Sequence, residues 1–313
     1  MVTLRQLEYL VAIVDQGSFT RAAELLHVTQ PALSHQIRVL ERQSGGPLLE
    51  RLPRLVRLTP TGRAMLPHAR AALAEAQRAE LAARRTAGTA SGEVELATLY
   101  GYSLGLLPVV LRAWRRARPD IGIRLFEHRH ADELRDAMAA GQADLALGPP
   151  PPGWSGPVHP LGEEEFVVVV AADDPVAADG ADRVELAALA DRAWVHYTPG
   201  NGLAELLDRV CAAAGFRPRA AVRTKQTAAA PLLAAAGLGP TLAAAHVVPP
   251  GFDGRLLRPE PPVRRPLAVW TRTEPDPLTA AFLTVLVREA TGHLNRGPAA
   301  AAGTVPAPSR TRA

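Results

Sequence analysis

The sequence predicts an α/β protein of two unlike parts: an N-terminal all-α head carrying a short β wing, then a longer region of alternating strands and helices. Three observations predict it. Residues 18–40 read as two short helices around a polar turn, and from Glu93 the apolar period changes from helical to strand–helix alternation. The third is charge: residues 1–90 hold 12 basic and 7 acidic groups, net +5, whereas residues 91–313 hold 23 and 24, net −1. A basic head ahead of a near-neutral body is the distribution that phosphate binding needs.

The length of 313 residues suits two or three domains. Hydrophobic residues make up 47% but aromatics only 4%, so Ala, Leu and Val must do most of the packing. Arginine supplies 34 of the 35 basic residues, Lys225 being the other, so an arginine informs only through its position.

Leu4, Leu7, Val11 and Val14 space a first helix. Ser18 is a good N-cap for the next, Ala22 and Ala23 are small enough for a close crossing, and Leu25, Leu26 and Val28 supply apolar contact before the break at His27. Thr29 is a second N-cap, with Pro31 in the first turn of the following helix, where its missing N–H costs little. Leu33, Ile37 and Leu40 recur at i, i+4, i+7 as a buried stripe. The opposite face presents Pro31, His35, Arg38 and Arg42, flanked by Gln30 and Ser34. Such a face suits the major groove, where Gln pairs with adenine edges and Arg with guanine edges or phosphates.

After Gly45, LLER and RLVRL read as two strands of a wing tipped by Leu52-Pro53-Arg54. Arg51, Arg54 and Arg57 crowd it, and a narrow minor groove attracts arginine. The candidate DNA contacts are therefore Ser18, Thr29, Gln30, Pro31, Ser34, His35, Arg38, Arg54 and Arg57. Thr59-Pro60 starts a helix to about Arg85, on which Leu66, Ala69, Leu73, Ala76 and Ala83 form a near-heptad seam that needs a partner. Pro67 should kink this helix near Arg63, and 86–92 reads as a flexible hinge.

Strands are expected at 93–99, 123–127, 143–148, 166–171, 194–197, 220–223 and 267–273, with helices at 104–116, 132–140, 203–213 and 227–236 between them. That alternation predicts a parallel sheet, in two lobes of about 91–164 with 268–293, and 165–267. Residues 297–313 lack any apolar period and read as disordered. In such sheets ligands bind beyond the carboxyl ends of strands. The loops there offer Tyr100, Tyr102, Ser103, His128, Arg129, His130, Thr198, Gly200, Gln226 and Thr227 as candidate effector contacts. Ser103 and Thr227 are placed to cap helices, and the concentration of His and Arg favours an anionic effector such as a carboxylate. Glu163–Glu165 reads as a solvated turn, and Cys211, the only cysteine, as a buried thiol.

No catalytic motif, zinc spacing or cofactor fingerprint is present. No secretory apolar region or bilayer-length stretch occurs, so a cytoplasmic protein with no membrane role is expected. A solute-binding protein would leave the head unused, and a constitutive DNA-binding protein would leave the body unused.

The run MVTLRQLEYLVAIVDQGSFTRAAELLHVTQPALSHQIRVLE, with LLER, RLVRLTPTG and the long helix after it, resembles the LysR-type transcriptional regulators. The match is ungapped from Leu4 to about Ala83 and continues more weakly to about Glu289. It implies a winged helix-turn-helix over 1–58, a linker and dimerisation helix with hinge over 59–90, and a two-lobed, periplasmic-binding-protein-like effector domain over 91–296. It places Gln30, Pro31, Ser34 and His35 toward bases and phosphates of double-stranded, palindromic sites, and implies a homodimer that doubles to a homotetramer. His35 stands where the family has Arg or Lys, so a fixed positive charge becomes pH-dependent or absent. Ser44 and Leu49 replace the usual Leu and Phe, which predicts a less well filled head core.

Overall fold

The structure, a computed structural model, describes residues 2–52, 55–86, 92–249 and 251–294. It divides into two units, residues 1–92 with 136–143, and residues 93–135 with 144 onward. The wing-tip Arg54, hinge residues 87–91 and the 297–313 tail lie outside the described residues.

In the head, α1 (Leu4–Gln16) starts at Thr3, whose Oγ1 accepts from the Gln6 amide while Gln6 Oε1 accepts from the Thr3 amide, a reciprocal cap. Ser18 Oγ caps α2 (Phe19–Leu25) and Thr29 Oγ1 caps α3 (Gln30–Gln43), each at 3.4 Å. Between them His27 takes φ 53°, and the Val28 amide reaches back to the Ala23 carbonyl at 2.9 Å. Ala22, Ala23, Leu33, Ile37 and Leu40 are buried with Leu10, Ile13 and Leu48 in one small core. Ser44, in place of a larger apolar residue, spends its hydroxyl on the Leu40 carbonyl at 2.8 Å.

The wing strands β1 (Leu49–Leu52) and β2 (Leu55–Leu58) pair antiparallel. Thr59 Oγ1 donates to the Pro47 carbonyl and accepts from the Gly62 amide, launching α4 (Pro60–Thr86). This helix continues unbroken through Pro67. Ala69, expected on the exposed seam, is instead buried inside the head, where α4 packs on α1 and Arg70 pairs with Asp15. Leu66, Leu73 and Ala76 stay half-buried.

The body runs β3 (Glu93–Leu99), α5 (Tyr100–Gly105), α6 (Leu107–Ala117), β4 (Gly122–His128), α7 (Ala131–Ala139), β5 (Leu145–Gly148) and β6 (Val158–Val170). Then come β7 (Arg183–Glu185), β8 (Ala193–Tyr197), α8 (Gly202–Ala213), β9 (Arg219–Thr224), α9 (Ala229–Leu233), β10 (Thr241–Ala244), β11 (Arg255–Glu260), β12 (Arg264–Trp270) and α10 (Pro277–Leu294). The main sheet is ordered β4-β3-β5-β12-β6-β11-β7, with β10 also on β6, while β8 and β9 pair separately.

This sheet is mixed, not parallel as the alternation suggested. Strand β3 is parallel to β4 and β5, but β12 is antiparallel to β5 and β6, as β10 and β11 are to β6. The reason is connectivity: β6 leaves the first lobe, β12 returns to it, and neighbouring strands doing both must run in opposite directions. Strand β6 serves both lobes, pairing with β12 over Val158–Glu165 and with β10 and β11 over its C-terminal half. There Phe166, Val168 and Val170 enter one core with Trp194 and Cys211, while Val167 and Val169 enter another with Ala234 and Ala243. Burial on both faces explains the unbroken valine run. In the first lobe Trp114 of α6 meets Phe282 of α10 edge-on, ring centres 5.2 Å apart.

Candidate DNA-reading face and ligand cavity

On α3, Gln30, Pro31, His35, Arg38 and Arg42 are exposed, opposite the buried Leu33, Ile37 and Leu40. Ser34 departs from the expectation: it is 5% exposed. One position after Leu33 and one turn before Ile37, it sits at the edge of the apolar stripe, with little of its hydroxyl left to offer a groove. Ser18 and Thr29 use an oxygen lone pair as caps, which leaves each O–H free to donate to a phosphate. Arg57 is exposed on β2. Glu41, which sequence reasoning passed over, accepts from the Leu48 and Leu49 amides at 3.0 and 3.3 Å and so ties α3 to the wing. Beside it, Arg38, Arg42, Gly46 and Pro47 line an open groove.

In the body, a cavity of about 220 Å³ gathers five of the ten candidate effector residues: Tyr100, Tyr102, Arg129, His130 and Thr227. The other five do not line it. Ser103 does not cap α5 but lies within it, its Oγ buried without a partner among the described residues. His128 is half-buried at the end of β4, and burial holds its imidazole below the ordinary value. Thr198, Gly200 and Gln226 shape the neighbouring turns: the Thr198 amide donates to the Thr224 carbonyl, Gly200 takes φ 80°, and the Gln226 amide donates to Thr224 Oγ1. Thr227 lines the cavity without capping α9, which starts after Ala228.

The rim of the cavity is cationic and partly balanced. Arg129 pairs with Glu133 at 3.2 Å, and His130 Nε2 lies 3.2 Å from Glu205 of α8. Arg209, one turn on from Glu205, has no polar partner among the described residues. Asn201 caps α8, its Oδ1 accepting from the Leu203 amide at 2.9 Å, and Asn201, Gly202 and Leu203 all line the cavity, so the positive end of that helix contributes as well.

The floor holds groups the sequence did not flag. Glu163–Glu165 is not a solvated turn but part of β6, and the strand period buries Glu164 at 1% exposure while its neighbours face Arg264. Glu164 Oε1 accepts from the Tyr102 hydroxyl at 2.7 Å and from Arg265 Nε at 2.6 Å, and Oε2 lies 3.1 Å from His246 Nε2. Arg265 faces Glu164 across the β6–β12 register, Tyr102 comes from α5 of one lobe, and His246 follows β10 of the other, stacked on Tyr102 at 5.4 Å. Burial alone would raise the Glu164 carboxyl. The Arg265 guanidinium and the hydrogen bonds from His246 and Tyr102 outweigh it and hold the carboxyl at about 2. Burial, reinforced by Glu164, pushes the Tyr102 hydroxyl well above its ordinary range. Cys211 is buried as expected, its thiol pushed up to about 12 by burial and the nearby Asp208.

Among the described residues no helix is long and apolar enough to cross a membrane. Residues 4–63 match the model of the bacterial regulatory helix-turn-helix protein, lysR family, and residues 87–291 that of the LysR substrate binding domain. The HTH-type transcriptional regulator IlvR of Caulobacter vibrioides is 31% identical over 290 residues, 91% of this chain and 98% of its own. The regulator CbbR of Xanthobacter flavus is 30% identical over 96% of this chain and 92% of its own. Among solved structures, a full-length OxyR variant from Pseudomonas aeruginosa superposes with TM-score 0.67 at 25% identity, covering 92% of this chain and 95% of that one. Full-length CbnR complexed with its target DNA gives 0.63 at 26% identity, covering 92% and 100%.

Proposed function

Because the chain belongs to the LysR family of DNA-binding transcriptional regulators with an effector-binding domain, we propose that α3 reads an operator and that a small anion in the body's cavity tunes that reading. The exposed row Gln30, Pro31, His35, Arg38 and Arg42, backed by fully buried Leu33, Ile37 and Leu40, carries the first half of this reading. Gln30 reads a base edge, Arg38 and Arg42 hold phosphates, and Ser18, Thr29 and Arg57 add backbone contacts. Two heads, joined through the half-buried Leu66, Leu73 and Ala76 of α4 as a homodimer, match a palindromic site, and a doubled dimer would bridge two such sites. Such a regulator works in the cytoplasm, beside its DNA.

Arg209, which has no polar partner among the described residues, carries the second half with Arg129, His130 and the start of α8: these groups favour a ligand with negative charge. Footprinting of the full chain on its operator, with and without candidate carboxylates, tests both halves together. The expected result is a protected palindrome whose extent changes with a carboxylate. Protection of no specific site, or a footprint that no anion alters, refutes the corresponding half.

A further inference from the structure

At the floor of the cavity Glu164 already takes hydrogens from Tyr102 and Arg265. Tyr102 gives its O–H to Glu164 and accepts weakly from Arg265 at 3.4 Å. Arg265 gives Nε to Glu164, and its guanidinium lies 5.2 Å from the centre of the Phe166 ring. His246 meets Glu164 through Nε2, while its Nδ1 is buried with no partner among the described residues. A proton there would be a buried, unsatisfied donor, so the ring carries its hydrogen on Nε2. The floor therefore pairs one carboxylate with one guanidinium, so that Glu164 already balances the charge Arg265 brings there. The cations free to meet a ligand lie at the rim, where Arg209 has no polar partner among the described residues. Leu99, Pro149, Leu203, Ala244 and Val247 line the walls.

We propose that this floor restricts the effector to a small monoanion whose far end is uncharged, the anionic group held at the rim by Arg209, Arg129 and His130. The inference rests on the anion reading given above and narrows it. A second carboxylate reaching inward would find no net positive charge and would meet the negative charge of Glu164 in a water-poor site, where charge interactions are strong. Arg265 could turn its remaining N–H groups to it only by sharing a charge that Glu164 already balances. A volume of about 220 Å³ lies below the roughly 300–1,000 Å³ of common ligand pockets, so rim and floor are both within reach of a small molecule.

Calorimetry of the full-length protein tests this with matched triples on straight-chain, branched and aromatic skeletons. Each triple holds a monocarboxylate, the dicarboxylate and the primary amide, for example pentanoate, glutarate and pentanamide. The expected result is a monocarboxylate that binds at least tenfold tighter than both of its counterparts. In Glu164→Gln, which leaves Arg265 without its counter-charge, the preference should move toward the dicarboxylate. Arg209→Ala should weaken the monocarboxylate severalfold and leave the amide unchanged. A wild-type protein that prefers dicarboxylates overturns the monoanion inference while the anion reading stands. One that prefers amides overturns both, and a full panel without a bound monocarboxylate overturns the inference. The wild-type comparison decides the matter even if Glu164→Gln does not fold.

Discussion

Gly62 lies where the first turn of α4 passes over the wing base, and a Cβ built on it would meet the Leu48 carbonyl oxygen at 2.1 Å. Backbone cannot yield as a side-chain tip can. Gly62→Ala should therefore cost about 1–3 kcal/mol of head stability; an unchanged denaturant midpoint would show that α4 shifts freely. Glu164 makes a prediction of opposite character. Its carboxyl sits at about 2 in the fold against 4.5 in the open chain. A depressed folded value stabilises fully above the open-chain value, and that contribution is lost as pH falls from about 4.5 toward 2. Asp174, held below its ordinary value by its hydrogen bond from Arg192, acts in the same direction. Unfolding midpoints taken from pH 6 down to pH 3 should fall steeply for wild type and less steeply for Glu164→Gln; parallel curves would remove Glu164 from the acid limb. This residue also marks where the sequence stopped being legible. Three adjacent glutamates look like a solvated run, because the partners that bury the middle one stand 62, 82 and 101 positions away.

Among elements, the head was readable because its signals are local: caps at Ser18 and Thr29, Pro31 in a first turn, and apolar spacing within one helix. The ligand loops were half readable. Strand ends could be placed, but which loop side chains share a cavity depends on how two lobes meet. Strands β7, β10 and β11 escaped because they are short or carry a proline, and their pairing with β11 or β6 is supplied by distant chain. On α3, Gln30→Ala should relax base preference at one operator position by about 1–3 kcal/mol, while Arg38→Ala should weaken all sites alike. Cognate-to-variant binding ratios that stay at the wild-type value in Gln30→Ala would remove it from base reading. His35→Arg should steepen the dependence of log affinity on log salt by about one phosphate's worth; an unchanged slope leaves His35 away from the backbone. On α4, Leu73→Asp should give monomers that lose operator binding yet keep a folded body. Sedimentation of wild type as a monomer at micromolar concentration would end that idea.

At the scale of the whole molecule, an effector changes DNA binding only if it binds one arrangement of the body better than another. The two lobes share β6, whose companion at the crossing is β12, with Glu163–Glu165 facing Arg264–Pro266. Beside this crossing Gly162 takes φ 117°, and the register slips between Leu267 and Ala268. Such an irregularity concentrates twist at one place in a ribbon. The axis is nonetheless a torsion rod rather than a hinge, because β6 and β12 stay paired on both sides of the slip. Rotation of one lobe about it changes dihedral angles by small amounts along a continuous strand pair and leaves the ladder of hydrogen bonds closed. Amides in the crossing should then exchange slowly with solvent whether or not the cavity is filled, even as the lobes turn. A side chain at Gly162, forced into that left-handed backbone, would stiffen the rod and preset its angle. The angle of rest, and with it the ease of switching, is a property this protein can change at one residue of the crossing strand.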